Sequence, residues 1–549
     1  MSLHLDTIGP VPEETARVAH AVFPKGHRYL RLRDELGTIY NDALFAPLFS
    51  VRGYPATAPW RLALVTVLQF AEGLTDRQTA DAVRDRLSWK YLLGLELADT
   101  GFDFSILSEF RTRLVAGGAP QQLLDAFLDR CKAAGLLKPR GRQRTDSTHV
   151  LAAVRRLNRL ECVGETLRQA LNTLAIVAPD WLRTQVMPGW HDRYDVRIEE
   201  TRLPEASAER ETLASAIGAD GLSLLAAIYD TATPPWLREI PAVRILRGVW
   251  VQYFYAPDAA DGAVRLRDPR DMPPGALTIE SPYDPDARYH TKRTTTWTGY
   301  TVHLTETCDE DAPHLVTHVA TVPATTNDVD VTTTIQADLA GRDLLPEEHL
   351  VDAGYVSAQH LVASTDREID LVGPAPPDTS WQASAGQGFD AARFIIDWEG
   401  RSVTCPQGKR SRYWGEGTTE HGHPFHQVIF DKDDCLVCPC RARCTRSATR
   451  PRQLALRPRE EHAALHMARQ RQTTDEFTER YKKRAGVEGT MSQGTHTCGL
   501  RRSRYRGLER THLQHVATGV AISLQRLDDW WTETPRATTR LSRFAALAA

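Results

Sequence analysis

The chain has 549 residues, with 67 Lys and Arg against 70 Asp and Glu, giving a formal net charge of −3. At 42% hydrophobic and 25% charged residues it excludes a disordered or fibrous protein, and its length allows roughly three to four domains. No stretch reaches the ~18–20 uninterrupted apolar residues of a membrane helix, and the opening Met1-Ser-Leu-His-Leu-Asp lacks the basic flank and apolar run of a secretion signal. The expectation is a cytoplasmic chain with no membrane partner and reduced thiols.

Charge is unevenly placed. From Arg441 to Arg510 there are 18 Lys and Arg against 7 Asp and Glu, a surplus of 11 that leaves −14 for the remainder. Such a basic stretch in an otherwise acidic chain attracts phosphate backbones.

In chain order, residues 57–135 read as helices. Pro59-Trp-Arg-Leu-Ala-Leu-Val-Thr-Val-Leu-Gln-Phe is an apolar helix stopped by Gly73, and Thr75-Asp-Arg-Gln78 has the spacing of a capping box that opens a second. Trp89, Tyr91 and Leu92 lead into a third, and Phe104-Ser105 begins a fourth. A helix-turn-helix DNA reader and a packing or dimerisation bundle both fit this pattern. Residues 155–275 are mostly helical, with apolar positions at Leu157, Leu160, Val163, Leu167, Leu171 and Leu174. From 296 the period changes to two: Trp297, Tyr300, Val302 and Leu304 alternate with polar residues, and Leu315-Val-Thr-His-Val-Ala-Thr-Val makes a second strand. A helix over 329–339, a short strand His349-Leu-Val-Asp352, another helix and a strand near 369–373 follow, which argues for an α/β core. Residues 374–388 read as a linker.

Three acidic residues stand out by position. Asp146 sits in Arg144-Thr-Asp-Ser-Thr-His149, Asp352 ends a strand, and Glu488 lies in Tyr481-Lys-Lys-Arg484-Ala-Gly-Val-Glu488. Tyr481, Arg484 and Glu488 fall at i, i+3 and i+7, on one helix face. Three carboxylates brought together suit two Mg²⁺ ions, with Mn²⁺ as substitute, and two such ions can assist an in-line phosphoryl displacement. Arg484 could neutralise a phosphate, and Tyr481 could bond or stack on a flipped base. A Ser147-His149-Asp146 hydrolase triad is disfavoured, because neighbouring strand residues alternate faces. No G-x-x-x-x-G-K-[ST] loop is present, so no nucleotide cofactor is expected.

With these motifs the chain resembles bacterial insertion-sequence transposases of the DDE type, in the group carrying a Tyr-Arg-Glu signature. The resemblance rests on Thr145-Asp146-Ser147-Thr148, on Val351-Asp352-Ala353-Gly354-Tyr355 and on Tyr481, Arg484 and Glu488. Tyr289-His-Thr-Lys-Arg, Tyr300-Thr-Val-His-Leu and Gly499-Leu-Arg-Arg-Ser-Arg-Tyr-Arg-Gly507 strengthen it. Relatives often carry a lysine one to two turns after the glutamate; here that region reads Gly494-Thr495-His496, and Arg501 or Arg502 would have to supply the phosphate contact.

The resemblance implies an α/β fold with a ribonuclease-H-like mixed-sheet core, split by a helical insertion and a Cys-rich insertion and preceded by an N-terminal helical domain. The expected division is 1–138 (helical, DNA-binding or dimerisation), 139–154 (first core segment, Asp146), 155–280 (helical insertion), 281–373 (core, Asp352), 374–470 (Cys-rich insertion) and 471–549 (Glu488 helix and basic region). Asp146, Asp352 and Glu488 would hold Mg²⁺. Tyr481, Arg484, Arg501, Arg502, Arg504 and Arg506 would contact DNA. The implied reaction exposes a 3′-OH at the element end and joins it to target DNA, in a homodimer or higher assembly on DNA near the nucleoid. A nuclease with the same triad, or a silent DNA-binding relic, are the alternatives.

Nine cysteines include five within a 40-residue stretch: Cys405, Cys435, Cys438, Cys440 and Cys444. Cys435-x-x-Cys438 has zinc-knuckle spacing, and with Cys405 and Cys444 it could close a tetrahedral structural Zn site. Cys440, His421, His423 and His426 lie nearby. Zinc, plain reduced thiols and an iron–sulfur cluster all remain open at this level.

Overall fold

A mixed six-stranded sheet carries Asp146 and leads into Asp352 in this computed structural model, which describes residues 2–3, 5, 8–198, 203–256, 264–420 and 422–535. Of the residues named above, His421 lies outside the described residues. The strands are β1 (Gln143–Leu151), β2 (Arg288–Lys292), β3 (Thr295–Thr307), β4 (Val316–Pro323), β5 (Glu348–Leu350) and β6 (Asp370–Val372). β1 runs antiparallel to β3 on one side, from Gln143↔Thr307 to Leu151↔Gly299, and parallel to β5 on the other, with Gln143 opposite His349. β4 extends the antiparallel side and β6 the parallel side, so the order is β4-β3-β1-β5-β6, with β2 pairing the start of β3. The parallel pairings need crossovers, supplied by the helices Asp328–Gly341 and Ala358–Thr365.

β3 alternates apolar with polar residues, a pattern common in strands with one wet face. Both faces are buried from Tyr300 onward. The polar face is closed by its own hydrogen bonds: the Thr145 hydroxyl meets both Thr305 Oγ1 and His349 Nε2 at 2.7 Å, and His303 Nδ1 meets the Tyr355 hydroxyl at 2.7 Å. Satisfied polar groups can be buried at small net cost, so polarity here does not mean exposure.

The helix Leu508–Trp531 packs across β4 and against the N-terminal helices Arg28–Leu36, Pro59–Ala71 and Gln122–Ala133. It buries Leu513, Val516, Val520, Leu524 and Leu527, each stabilising the fold by about 1.5–3 kcal/mol relative to exposure. One continuous hydrophobic core therefore joins the N-terminal helices to the sheet. The expected capping box is present, Thr75 and Gln78 satisfying each other's backbone N–H.

Between β1 and β2 a helical region builds a separate core around Val163, Leu167, Ile217, Leu224 and Leu246. Its helix Arg159–Val177 opens on a second capping box, Asn158 with Glu161. Among the described residues, Ser207–Tyr229 is the one helix long and apolar enough to cross a membrane by length and composition, and it contributes Ile217, Leu224 and Ile228 to this core.

After β6 the chain forms two small sheets, β7 (Ile395–Asp397) with β8 (Ser402–Thr404), and β9 (Tyr413–Thr418), β10 (Pro424–Ile429) and β11 (Gln453–Leu456). The stretch read as a linker contains the short helix Trp381–Ser384, whose Gln382 is buried and donates to the Cys444 carbonyl at 3.0 Å. The neighbouring glutamine thus ties the segment down.

Candidate active site

Three carboxylates from distant parts of the chain meet around one guanidinium. Asp146 lies in β1 opposite Leu304, which sets it on the face that also carries Arg144 and Glu306. Asp352 stands just past β5 and caps the turn Ala353–Tyr355, its Oδ1 accepting from the Gly354 N–H at 2.8 Å. Glu488 is in the first turn of the helix Gly486–Thr497. The predicted single helix from Tyr481 to Glu488 is interrupted by the tighter turn Lys483–Ala485, which carries Arg484 inward. Arg484 Nη2 lies 2.7 Å from Asp146 Oδ2 and 4.0 Å from Asp352 Oδ2, and its Nη1 lies 3.4 Å from Glu488 Oε1.

A buried ionic cluster fixes that helix against β1. Glu306 is fully buried and accepts from Arg144 at 2.6 Å, from Arg526 on the C-terminal helix and from the Thr490 hydroxyl one helical turn or less from Glu488. Gly486 makes room for it, since a Cβ there would stand 2.0 Å from Arg144 Nη1. Gly354 is less tightly placed: its Cβ would stand 3.0 Å from both Asp328 Oδ2 and Asp352 Oδ1.

The electrostatics follow from this packing. Burial pushes the Asp146 carboxyl above its ordinary value, Arg484 opposes this, and Asp352 and Asp328 add to it. For Arg484, burial works to lower the pKa, and the surrounding Asp146, Tyr481, Asp352 and Glu488 outweigh it, so the guanidinium is held above its ordinary value. Side-chain exposure rises from 16% at Asp146 through 36% at Asp352 to 68% at Glu488, so the trio opens outward from a buried root. Among the described residues no three His, Cys, Asp or Glu form a ready ligand cluster; here the Arg484 guanidinium stands between the carboxylates.

A cleft of about 570 Å³ leads to Asp146, Asp352 and Arg484, with Lys292, Arg293 and His290 on its wall. Tyr481 lies beside the trio, half-buried, stacked on Phe477 with ring centroids 5.5 Å apart.

Residues 404–528 match the family described as Transposase DDE domain, and residues 17–113 match the family described as Transposase domain (DUF772). The two together indicate an insertion-sequence DDE transposase. No curated protein matches the chain. The matched segments of the transposase contain Glu488, Arg484, Tyr481 and the cysteine cluster; Asp146 and Asp352 lie in the unmatched stretch between them.

The arginines expected on DNA have separate placements in the transposase. Arg501 donates to Thr148 Oγ1 at 2.8 Å, beside the Asp146 strand, and Arg502 is exposed next to it. Arg504 lies over the Phe70 ring and bonds the Leu74 carbonyl at 2.6 Å, while Arg506 lies over Tyr283. These two serve packing between elements as well as surface charge.

Sequence reasoning missed Asp328. It opens the helix Asp328–Gly341, accepts from Ser147 Oγ at 2.8 Å and pairs with Lys292 Nζ at 2.8 Å. Ser147 is thereby committed to Asp328, and His149 instead sits against Trp297, so no hydrolase triad forms. The signal for Asp328 was only an acid at a helix start; Lys292 lay in the quoted Tyr289-His-Thr-Lys-Arg motif without an assigned role.

Proposed function

We propose that this transposase is a Mg²⁺-dependent strand-transfer enzyme on a ribonuclease-H-like core. The observation that carries the reading is the convergence of Asp146, Asp352 and Glu488 on a single cationic position at the end of an open cleft. The strand order supports the core: three antiparallel strands followed by two parallel ones, with the first strand central, Asp146 within it and Asp352 just past the adjacent β5.

An all-oxygen donor set, partly exposed and already gathered around positive charge, suits hard divalent cations. Asp146, Asp352 and Glu488 would hold them, with Mn²⁺ as substitute. When bound, such ions activate an attacking oxygen and stabilise the leaving one. The remaining work belongs to the chain. Water opens one phosphodiester at the element end, leaving a 3′-OH; that hydroxyl then attacks a target phosphodiester, whose own 3′ oxygen departs. Lys292 and Arg293 line the approach, Arg501 is bonded to Thr148 on its wall, and the three would hold phosphates in register, which is the larger part of catalysis in phosphoryl transfer. Arg484 offsets part of the charge of the three carboxylates. The DNA partners would be element ends and target, bound by a homodimer or larger assembly.

The test is strand transfer of labelled element-end DNA with Mg²⁺, comparing the wild type with Glu488→Gln. Joined product that disappears in the variant is the expected result. Cleavage without joining would reduce the reading to a nuclease. Salt-sensitive binding without chemistry in either protein would refute the reaction.

A further inference from the structure

The Cys-rich region is poorly provided with apolar core. Across its two small sheets only Phe394, Val403, Val428, Phe430, Leu454 and Leu456 form the buried cluster. A unit this thin usually requires a cross-link or a metal. Five cysteines occur here, all with free thiols, and four of them, Cys405, Cys435, Cys438 and Cys444, line one cavity of about 40 Å³. That volume exceeds the ~10–15 Å³ that one water needs and admits a single ion with its ligands drawn in.

We propose that Cys405, Cys435, Cys438 and Cys444 bind one structural zinc ion that holds the two small sheets together. The inference does not depend on the reaction proposed above. The backbone presents the thiols from two sides. Cys405 stands in a tight turn closed by Gly408 N–H to the Cys405 carbonyl at 2.8 Å, and the Cys405 N–H donates to the Lys409 carbonyl at 2.8 Å. Cys435, Cys438 and Cys444 come from the segment after β10, whose carbonyls at Cys435, Ser447 and Arg450 are gathered by the Arg441 guanidinium. Lys409 Nζ meets Asp434 at 2.8 Å and fastens the two sides across the cavity.

Charge and selection favour the same four ligands. A tetrathiolate zinc centre carries two net negative charges, and Lys409, Arg441 and Arg452 line its cavity. Arg452 Nε is buried with no hydrogen-bond partner, a donor that thiolate sulfur would satisfy. Cys440 does not line the cavity. His426 packs between Trp414 and Trp398, and His423 meets Gln359, so neither competes. The thiols surround the cavity without yet forming a closed ligand cluster, and closure on the ion would be coupled to folding of the region.

The test is metal content of the full-length protein purified without chelator, by plasma mass spectrometry, alongside Cys438→Ser and Cys440→Ser. One zinc per chain, lost in Cys438→Ser and kept in Cys440→Ser, is expected. Should Cys438→Ser not yield soluble protein, the wild type with zinc exchanged for cobalt(II) gives an independent reading: a thiolate-to-cobalt charge-transfer band supports the site. Absence of both zinc and that band, equal zinc in the two variants, or iron with sulfide in place of zinc would each overturn it.

Discussion

Replacing Glu306 with glutamine should both destabilise the protein and loosen its third acid. The Glu306 carboxylate is fully buried between Arg144, at 2.6 Å, and Arg526, and it also accepts the Thr490 hydroxyl. Neutralising it leaves two guanidiniums facing one amide in a fully buried site. Removing one partner of a buried pair costs about 3–5 kcal/mol, against a total stability of roughly 5–15 kcal/mol. Because Thr490 anchors the helix Gly486–Thr497, the loss should concentrate there. Hydrogen exchange read by mass spectrometry would show faster opening over 486–497 than over the helix Pro59–Ala71, with a lowered denaturation midpoint. Burial alone would raise the Glu306 pKa; Arg526 and Arg144 outweigh it and hold the carboxyl below its ordinary value. A depressed carboxylate contributes its stability above the unfolded pKa of about 4.3 and loses it as pH falls through the native value. The difference between wild type and variant should therefore shrink in acid. A cost under about 1 kcal/mol with uniform exchange would show that this cluster does not hold the helix.

Two further outcomes follow from the same geometry. Gly486→Ala would bring a Cβ to 2.0 Å from Arg144 Nη1, which donates to the Lys483 carbonyl while Nε and Nη2 of the same guanidinium meet Glu306, and should cost about 1–3 kcal/mol with loss of strand transfer. Gly489→Ala, three residues on with nothing within 4 Å, should be neutral or stabilising by up to about 1 kcal/mol; equal melting temperatures for the two variants would sink the argument. Burial pushes His349 and His512 down to about 4 and His515 to about 3. In the unfolded chain each takes up a proton below about 6.5, so their contribution is complete above that pH and lost progressively towards the folded values. Melting temperature should decline between about pH 6.5 and 4. A flat profile across that window would mean these histidines are not buried neutral.

The sequence was most legible where local pattern and chemistry coincided. Asp352 stands just past a strand end as expected, whereas Asp146 falls inside β1 and not at its end, and Tyr481, Arg484 and Glu488 do face one region although the helix between them tightens to a narrower turn. The Thr75 capping box could be read because its partners are three residues apart. Asp328 could not, since its importance comes from Ser147 and Lys292, far away in sequence. The polar positions of β3 misled for the same reason: Thr305 and His303 find partners on β1 and the Tyr355 turn, which no single-strand pattern reveals. Arg504 and Arg506 read as surface charge, and only tertiary contact shows their rings, Phe70 and Tyr283.

The packing of the C-terminal helix has a consequence for synthesis. Leu508–Trp531 lies against Arg28–Leu36, with Arg31 pairing to Asp528 at 2.7 Å, so Arg31 waits for a partner translated 497 residues later. Glu488 emerges roughly 340 residues after Asp146, a delay of about 17–70 s at ribosomal rates of about 5–20 residues per second. During that interval the nascent chain has neither a completed acidic trio nor a sealed core. A messenger cut short within this delay would encode the first acid without the third.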